Sequence, residues 1–308
     1  MNPPIVLAFD VGGTQIKAAA VCEGTIIGPT VAQYESRSDL SANGVVNHFV
    51  SIIQDMISKL DQDHPLICGI GIAFPGPFDY KNGISLIKGL GKFDALYGLP
   101  VGKLLEEALR ANSCLKDRLA PGFRITFEND AALFGLGEVV YGEGQAADRV
   151  VCLTIGTGLG SCFLEHGYLV QQRADVPENG WLYKEPYRNG IADDYISKKG
   201  VLQLALELGI DVSSSDVRDL ANTAIAGEPS LRQLFELFGQ RMASILFPAL
   251  SAFSPGRIVL GGQISKSGVL FVPAFQNELA LQGLQTQVVI SQDTLTSTFK
   301  GIYDFVRG

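Results

Sequence analysis

Apolar runs that break at glycine turns alternate along this chain with longer segments of helical period, a pattern of short buried strands and amphipathic helices. Ile5-Val6-Leu7-Ala8-Phe9-Asp10 is a buried-strand run that enters Gly12-Gly13-Thr14, and a second apolar run extends to Val21 and turns at Glu23-Gly24. Near half the chain length later the unit recurs. Val150-Val151-Cys152-Leu153-Thr154-Ile155 enters Gly156-Thr157-Gly158-Leu159-Gly160, then Ser161 to Glu165, then His166-Gly167. Either copy alone reads equally well as an ordinary tight hairpin. The repetition predicts two similar α/β domains, each opening with a hairpin whose glycine turn lets backbone N–H groups approach an anion.

Between the copies, Val45, Val46, Phe49, Ile52, Ile53, Met56, Ile57 and Leu60 make a helical stripe over 45–60, and Val101 to Ala111 predicts another amphipathic helix. Ile67 to Phe74 predicts a buried strand that ends at Pro75-Gly76-Pro77. In the second half, 201–208 and 230–250 read as helices, the latter ended or kinked at Pro248. Arg257-Ile258-Val259-Leu260 is a buried strand entering a third glycine turn at Gly261-Gly262, and 295–306 predicts a terminal helix. Strand and helix alternate as in a mixed α/β protein.

At 308 residues with 46% hydrophobic and 18% charged side chains, the chain has the composition of a folded protein of about two domains. A net charge of -8 and a pI near 5.0 argue against a nucleic-acid or membrane surface as partner. No apolar run approaches the roughly 18 residues of a membrane span, and the first residues lack the pattern of a cleavable leader, so a cytoplasmic protein is expected. The five cysteines, Cys22, Cys68, Cys114, Cys152 and Cys162, have no metal-ligand spacing and are read as small buried hydrophobes.

Phosphoryl transfer needs positioned phosphates, a metal and a group that accepts the hydroxyl proton. Asp10, closing the first strand beside Gly12-Gly13-Thr14, suits the water shell of a Mg²⁺ ion. Lys17 serves a phosphate or pairs with an acid. Ile125-Thr126-Phe127 opens through Glu128-Asn129-Asp130-Ala131-Ala132 into a helix start, where Asn129 or Asp130 is an N-cap or a functional group.

Five elements together resemble the ROK family of sugar kinases and repressors, in the family's order and over nearly the whole chain. They are Asp10-Val11-Gly12-Gly13-Thr14 with Lys17, Pro75-Gly76-Pro77, Glu128-Asn129-Asp130-Ala131-Ala132 with Gly137-Glu138, Gly156-Thr157-Gly158-Leu159-Gly160, and Gly261-Gly262-Gln263-Ile264-Ser265. The resemblance implies an α/β, two-domain actin-like ATPase fold, ribonuclease H-like and of hexokinase type, with a central cleft. Its expected domains are 1–123, joined by a C-terminal helix at 295–308, and 124–294. It implies a glucokinase-like kinase using ATP and Mg²⁺, with Asp130 as catalytic base. Gly76, Asn129, Asp130, Glu178 and Asp193 are then expected on a hexose or hexose derivative, phosphorylated at its 6-hydroxyl. Asp10, Gly12, Gly13, Thr14, Lys17, Gly156, Thr157 and Gly158 are expected around phosphates and metal, Gly261 and Gly262 near the adenosine. By the same analogy a homodimer is expected.

The chain departs from the family where Pro177-Glu178-Asn179-Gly180-Trp181 replaces a stretch ending in histidine, and where the cysteines of the family's structural zinc site are missing. No zinc is expected. Trp181 either stacks on a sugar or fills the space of the zinc loop. Asp193 is one methylene shorter than the family's glutamate, with Asp194 a competing candidate. A repressor of the same family would need a DNA-binding domain before the first strand, which begins here at Ile5. A sugar-binding protein without catalysis and a polyphosphate-dependent glucokinase are the remaining alternatives.

Overall fold

A computed structural model describes residues 4–60, 66–213 and 215–308. The chain folds into two compact units, one running through Gly137 and taking up Leu295–Gly308 again, the other spanning Glu138–Thr294. In the first, β1 (Ile5–Val11) and β2 (Gln15–Cys22) form the expected antiparallel hairpin, extended by β3 (Thr25–Ile26) and β4 (Ala32–Glu35). Next come α1 (Ala42–Ser58), β5 (Ile67–Ala73), a short hairpin of β6 (Phe78–Asp79) and β7 (Ile84–Ser85), α2 (Val101–Ala111) and β8 (Leu119–Glu128). β5 is parallel to β1 and β8 is parallel to β5, giving the order β3-β2-β1-β5-β8. This pairing carries the first unit past residue 123, into α3 (Asp130–Tyr141).

The second unit opens with the hairpin of β9 (Arg149–Ile155) and β10 (Leu159–Glu165), extended by β11 (Tyr168–Leu169). The small β12 (Pro186–Tyr187) and β13 (Gly190–Ile191) pair precedes four helices, α4 (Ala192–Tyr195), α5 (Lys198–Glu207), α6 (Val217–Ile225) and α7 (Pro229–Phe253). Then β14 (Arg257–Gly261), α8 (Val272–Leu281) and β15 (Gln287–Ile290) complete a sheet of order β11-β10-β9-β14-β15. The two sheet paths correspond strand for strand. In each, an antiparallel hairpin is followed by two parallel neighbours, so the repeat in the sequence is a repeat of topology. Helix α9 (Thr294–Arg307) ends the chain in the first unit.

Alternation along the first sheet decides what packs on each face. Ile5, Leu7 and Phe9 of β1 and Ile70 and Ile72 of β5 join one core with the buried stripe Val45, Phe49, Ile53 and Met56 of α1. Phe9 and Phe49 meet with ring centroids 6.0 Å apart. Each such fully buried side chain contributes about 1.5–3 kcal/mol. On the opposite face β5 presents Gly69 and Gly71, and α9 lies directly on them: added Cβ atoms would come within 2.6 Å of Val306 and 2.3 Å of Ile302. The Arg124 guanidinium of β8 donates to the Val306 carbonyl. α9 also crosses α3 backbone to backbone, since a Cβ on Gly301 would sit 1.9 Å from the Leu133 carbonyl oxygen.

α7 does not end at Pro248 but continues to Phe253, because the hydrogen bond lost at proline is outweighed by burial of Leu246, Leu250 and Phe253 around it. One expectation needs correction. Of the cysteines, only Cys152 and Cys162 are buried; Cys114 is exposed, and Cys22 and Cys68 are partly so. Cys152 and Cys162 face each other across the β9–β10 hairpin, where burial pushes the Cys152 thiol well up.

The α3–α9 crossing predicts that Gly301→Ala destabilises the chain by at least about 1–3 kcal/mol, since backbone rather than a movable side chain blocks the new methyl. Gly256→Ala, whose methyl meets only an ordinary 3.4 Å contact, should stay within about 0.5 kcal/mol of wild type. Urea melts of the two variants compare them; equal midpoints would contradict the crossing.

Candidate active site

Register in the first sheet builds a row of charged groups. Lys17 of β2 is opposite Asp10 of β1, Asp10 is opposite Ala73 of β5, and Ala73 is opposite Glu128 of β8. At a strand spacing near 4.8 Å, the Asp10 and Glu128 backbones are about 10 Å apart. The chain leaves this row at the carboxyl ends of three parallel strands, where ligands of open α/β sheets bind. The segments that leave it are Gly12-Gly13-Thr14, Pro75-Gly76-Pro77 with a cis Gly76-Pro77 bond, and Asn129-Asp130 at the start of α3. Residues of three separate sequence motifs thus share one sheet edge. Gly76 is exposed, and the Tyr80 hydroxyl braces its loop by donating to the Phe74 carbonyl at 3.0 Å.

Burial is the first cause of perturbation for each of these acids. Burial pushes the Asp10 carboxyl up, and the ammonium of Lys17, 3.6 Å away, pulls it partly back. Burial also raises Glu128, which accepts the Asn129 N–H at 2.7 Å. Asp130 is raised first by desolvation and then by the negative charge of Asp10. Solvent reaches Asp130, so its desolvation is that of a carboxylate crowded by protein yet open to a reactant. The Ala131 N–H, 2.9 Å from Oδ1, and the Asn129 side chain act in the other direction. Asn129 caps α3 in the ordinary way, its Oδ1 accepting the Ala131 N–H at 3.0 Å, so cap and candidate ligand are the same residue.

Both hairpin turns have their carbonyls engaged and their N–H groups spare. In the first, the Gly13 carbonyl accepts the hydroxyls of Ser36 at 2.5 Å and Ser38 at 2.9 Å, and the Thr14 carbonyl accepts the Ser36 N–H at 3.0 Å. In the second, the Gly156 carbonyl accepts the Lys198 N–H at 2.8 Å and the Gly158 carbonyl accepts the Gly156 N–H at 3.0 Å. The N–H groups of Gly13, Thr14, Thr157 and Gly158 donate to no protein acceptor among the described residues. In each turn by itself, two successive unspent amides make a concavity suited to an anion. A side chain closes on each turn: a Cβ on Gly13 would lie 2.9 Å from Lys92 Cδ, and one on Gly158 would lie 2.8 Å from Asp193 Oδ1.

Gly262, at a φ of +89°, lies against the end of β9, where a Cβ would meet the Ile155 carbonyl oxygen at 2.4 Å. The third glycine turn therefore adjoins the second, as parallel pairing of β14 with β9 requires. Asp193 also reaches this turn, its Oδ1 accepting the Leu159 N–H at 2.7 Å. Asp194 does not: it caps α4 through the Ile191 N–H at 3.1 Å and pairs with Lys199 at 2.9 Å, which holds its carboxyl below the usual range.

Glu178 is exposed on a helical turn tied to β10 by Ser161, whose hydroxyl donates to the Gly180 carbonyl at 2.7 Å. The Trp181 indole is half-buried, with its ring centroid 6.0 Å from that of Tyr183 and Lys184 Nζ 5.1 Å above it. Among the described residues no three His, Cys, Asp or Glu side chains gather to hold a metal ion. A single carboxylate such as Asp10 suffices for Mg²⁺, which commonly keeps several waters and takes its other ligands from phosphates. The sequence reading missed Ser36, Ser38 and Lys92, because only the folded chain brings them to the first turn.

A model of the ROK family matches residues 6–302. A glucokinase of Thermotoga maritima is 26% identical over 326 residues, 98% of this chain and 91% of the relative. A beta-glucoside kinase of Listeria innocua is 26% identical over 296 residues, covering 92% and 90%. The crystal structure of a glucokinase from Parabacteroides distasonis superposes with a TM-score of 0.80 at 20% identity, covering 99% of this chain and 98% of that one. The fold is the two-domain actin-like fold of hexokinase type, and with a family match of this extent the chain belongs to the ROK family.

Proposed function

We propose that this chain transfers the γ-phosphoryl group of ATP to the 6-hydroxyl of a hexose or hexose derivative, with Asp130 as general base. It is a sugar kinase of the ROK family, and its relatives include a glucokinase and a beta-glucoside kinase. The observation that carries the assignment of the base is Asp130 itself: a carboxylate open to a reactant, fixed at a capped helix start, and raised toward the range in which a base both ionises and holds a proton.

In this reading the sugar lies against the Gly76 backbone, Asn129 and Asp130, with Glu178 and Asp193 as further hydroxyl partners. Its hydroxyl oxygen attacks the γ-phosphorus as the bond to the β–γ bridging oxygen breaks. The hydroxyl proton passes to Asp130, and the products are sugar phosphate, ADP and, once Asp130 ionises again, a proton. The spare amides of Gly13, Thr14, Thr157 and Gly158 orient the phosphates, with Gly12, Gly156 and Lys17 beside them and Gly261 and Gly262 near the adenosine. Magnesium, held through Asp10 when bound, neutralises phosphate charge.

Coupled ADP release measured on a panel of hexoses, amino sugars and glycosides tests the reading. Sugar-dependent release should fall by about 10²–10⁴ in Asp130→Asn while sugar binding by calorimetry persists. A variant within severalfold of wild type would remove Asp130 from the role.

The raised carboxyl also has a sign in stability. The folded chain holds the Asp130 proton to higher pH than the unfolded chain does, so ionising Asp130 costs stability as pH rises through that interval. Asp130→Asn should therefore melt above wild type at neutral pH, with the difference vanishing below the ordinary aspartate range. A neutral-pH melting point below wild type would contradict the desolvation account.

Asp193 has two candidate jobs, on sugar hydroxyls and on the Leu159 N–H. If the turn contact matters, Asp193→Asn, which keeps an acceptor oxygen, should stay within about threefold of wild type. Asp193→Ala should then raise the KM for ATP about tenfold. A rise in sugar KM alone would instead place Asp193 on the sugar.

A further inference from the structure

Two lysines stand at the first glycine turn, and they are not equivalent. Lys17 is committed: its register places it opposite Asp10, with which it pairs at 3.6 Å. Lys92 has its stem on the turn, since the position a Gly13 Cβ would occupy is 2.9 Å from its Cδ and 3.9 Å from its Nζ. It is only partly exposed, and no carboxylate pairs with it among the described residues. An ammonium parked beside two unspent backbone amides, with no anion of its own, is placed to receive one from outside.

The loop that delivers Lys92 is built for that placement. Gly89 and Gly91 take φ values of +71° and +69°, and between Lys92 and Asp94 the buried Phe93 is held at +54°, a conformation unfavourable for a bulky residue. Three contacts over-determine it. The Asp94 carboxylate accepts the N–H groups of Leu90 at 3.2 Å and Gly91 at 2.9 Å. The Phe93 ring lies 5.1 Å from that of Phe74. The Phe93 N–H donates to the Ser38 carbonyl at 2.7 Å, while the Ser38 hydroxyl donates to the Gly13 carbonyl. Ser38 therefore bolts the Lys92 loop to the turn, and strain at Phe93 is the local cost of aiming the lysine.

We propose that Lys92 binds the phosphoryl group in transit, which is the terminal phosphate of the donor before reaction and the phosphate of the sugar product after it. The assignment rests on the kinase reading above and goes beyond it by naming a cation no sequence motif contains. Lys92 would neutralise the charge of the moving group at the Gly13–Thr14 amides, leaving Lys17 to hold Asp10.

The test compares Lys92→Met, which keeps the stem on Gly13 but loses the charge, with Lys92→Arg, which keeps a charge. Turnover with Mg-ATP and the sugar found for wild type is measured beside inhibition by ADP and by the sugar phosphate that wild type forms. Lys92→Met should lose about 10- to 100-fold in kcat/KM for ATP and bind the sugar phosphate more weakly, with ADP inhibition unchanged and partial recovery in Lys92→Arg. Equal weakening of ADP would assign Lys92 to the retained phosphates and overturn the proposal, as would a change confined to sugar KM or a variant within twofold of wild type. Failure of the kinase reading looks different: wild type itself releases no ADP with any sugar. In that case calorimetry of Mg-ATP against ADP still decides, because Lys92→Met must lose the preference for ATP, and an unchanged preference sinks the proposal.

Discussion

Parallel pairing of β1, β5 and β8 is the constraint on which the rest of the first unit depends, because its register leaves Asp10 and Glu128 on one row with only Ala73 between them. Both sit in partly desolvated surroundings, and burial strains each toward its neutral form. The fold relieves the strain unevenly. Lys17, fixed opposite Asp10 by the antiparallel hairpin, offsets part of its cost, whereas Asp130, raised further by the charge of Asp10, is met only by backbone amides and the Asn129 side chain. Asp10 thus has a cation as its partner while the solvent-exposed Asp130 has none among the described residues, so neighbouring carboxylates stand in different electrostatic settings.

The second unit uses the same hairpin under different electrostatics. Its sheet has the path of the first, and its turn likewise leaves two amides unspent. The side chain that closes on the turn is the acid Asp193, however, where the first unit brings the cation Lys92. Asp193 spends Oδ1 on the Leu159 N–H, which fixes it against the turn. One turn is dressed to attract charge, the other to be held rigid.

Much of this was legible in the sequence for a definite reason. Strand, turn and helix boundaries follow from local periodicity, and the glycine turns recur, so the two hairpins, α1, α2 and the terminal helix could be anticipated within a few residues. Asp130 was legible as a junction residue, and its double life beside the capping Asn129 follows from the helix start. What stayed hidden depends on contacts distant in sequence. Nothing in Lys88-Gly89-Leu90-Gly91-Lys92 announces that its lysine folds onto Gly13, and nothing near Ser38 says that its hydroxyl fastens the two together. At Pro248 the sequence left two outcomes open, an end or a kink, and burial on both sides of the proline accompanies continuation of α7.

The altered Pro177–Trp181 stretch can be understood in the same terms. A segment without zinc ligands must be ordered by other means, and here three are visible: Ser161 ties Gly180 and the Leu182 N–H to β10, Gly180 takes a φ of +74° against Phe163, and Trp181 shares a cluster with Tyr183 and Lys184. Hydrogen bonds between a buried serine and the backbone fix where the turn that carries Glu178 sits. Ser161 thus anchors this stretch, and it was invisible in the sequence because a serine inside a strand carries no signal of what it will bind.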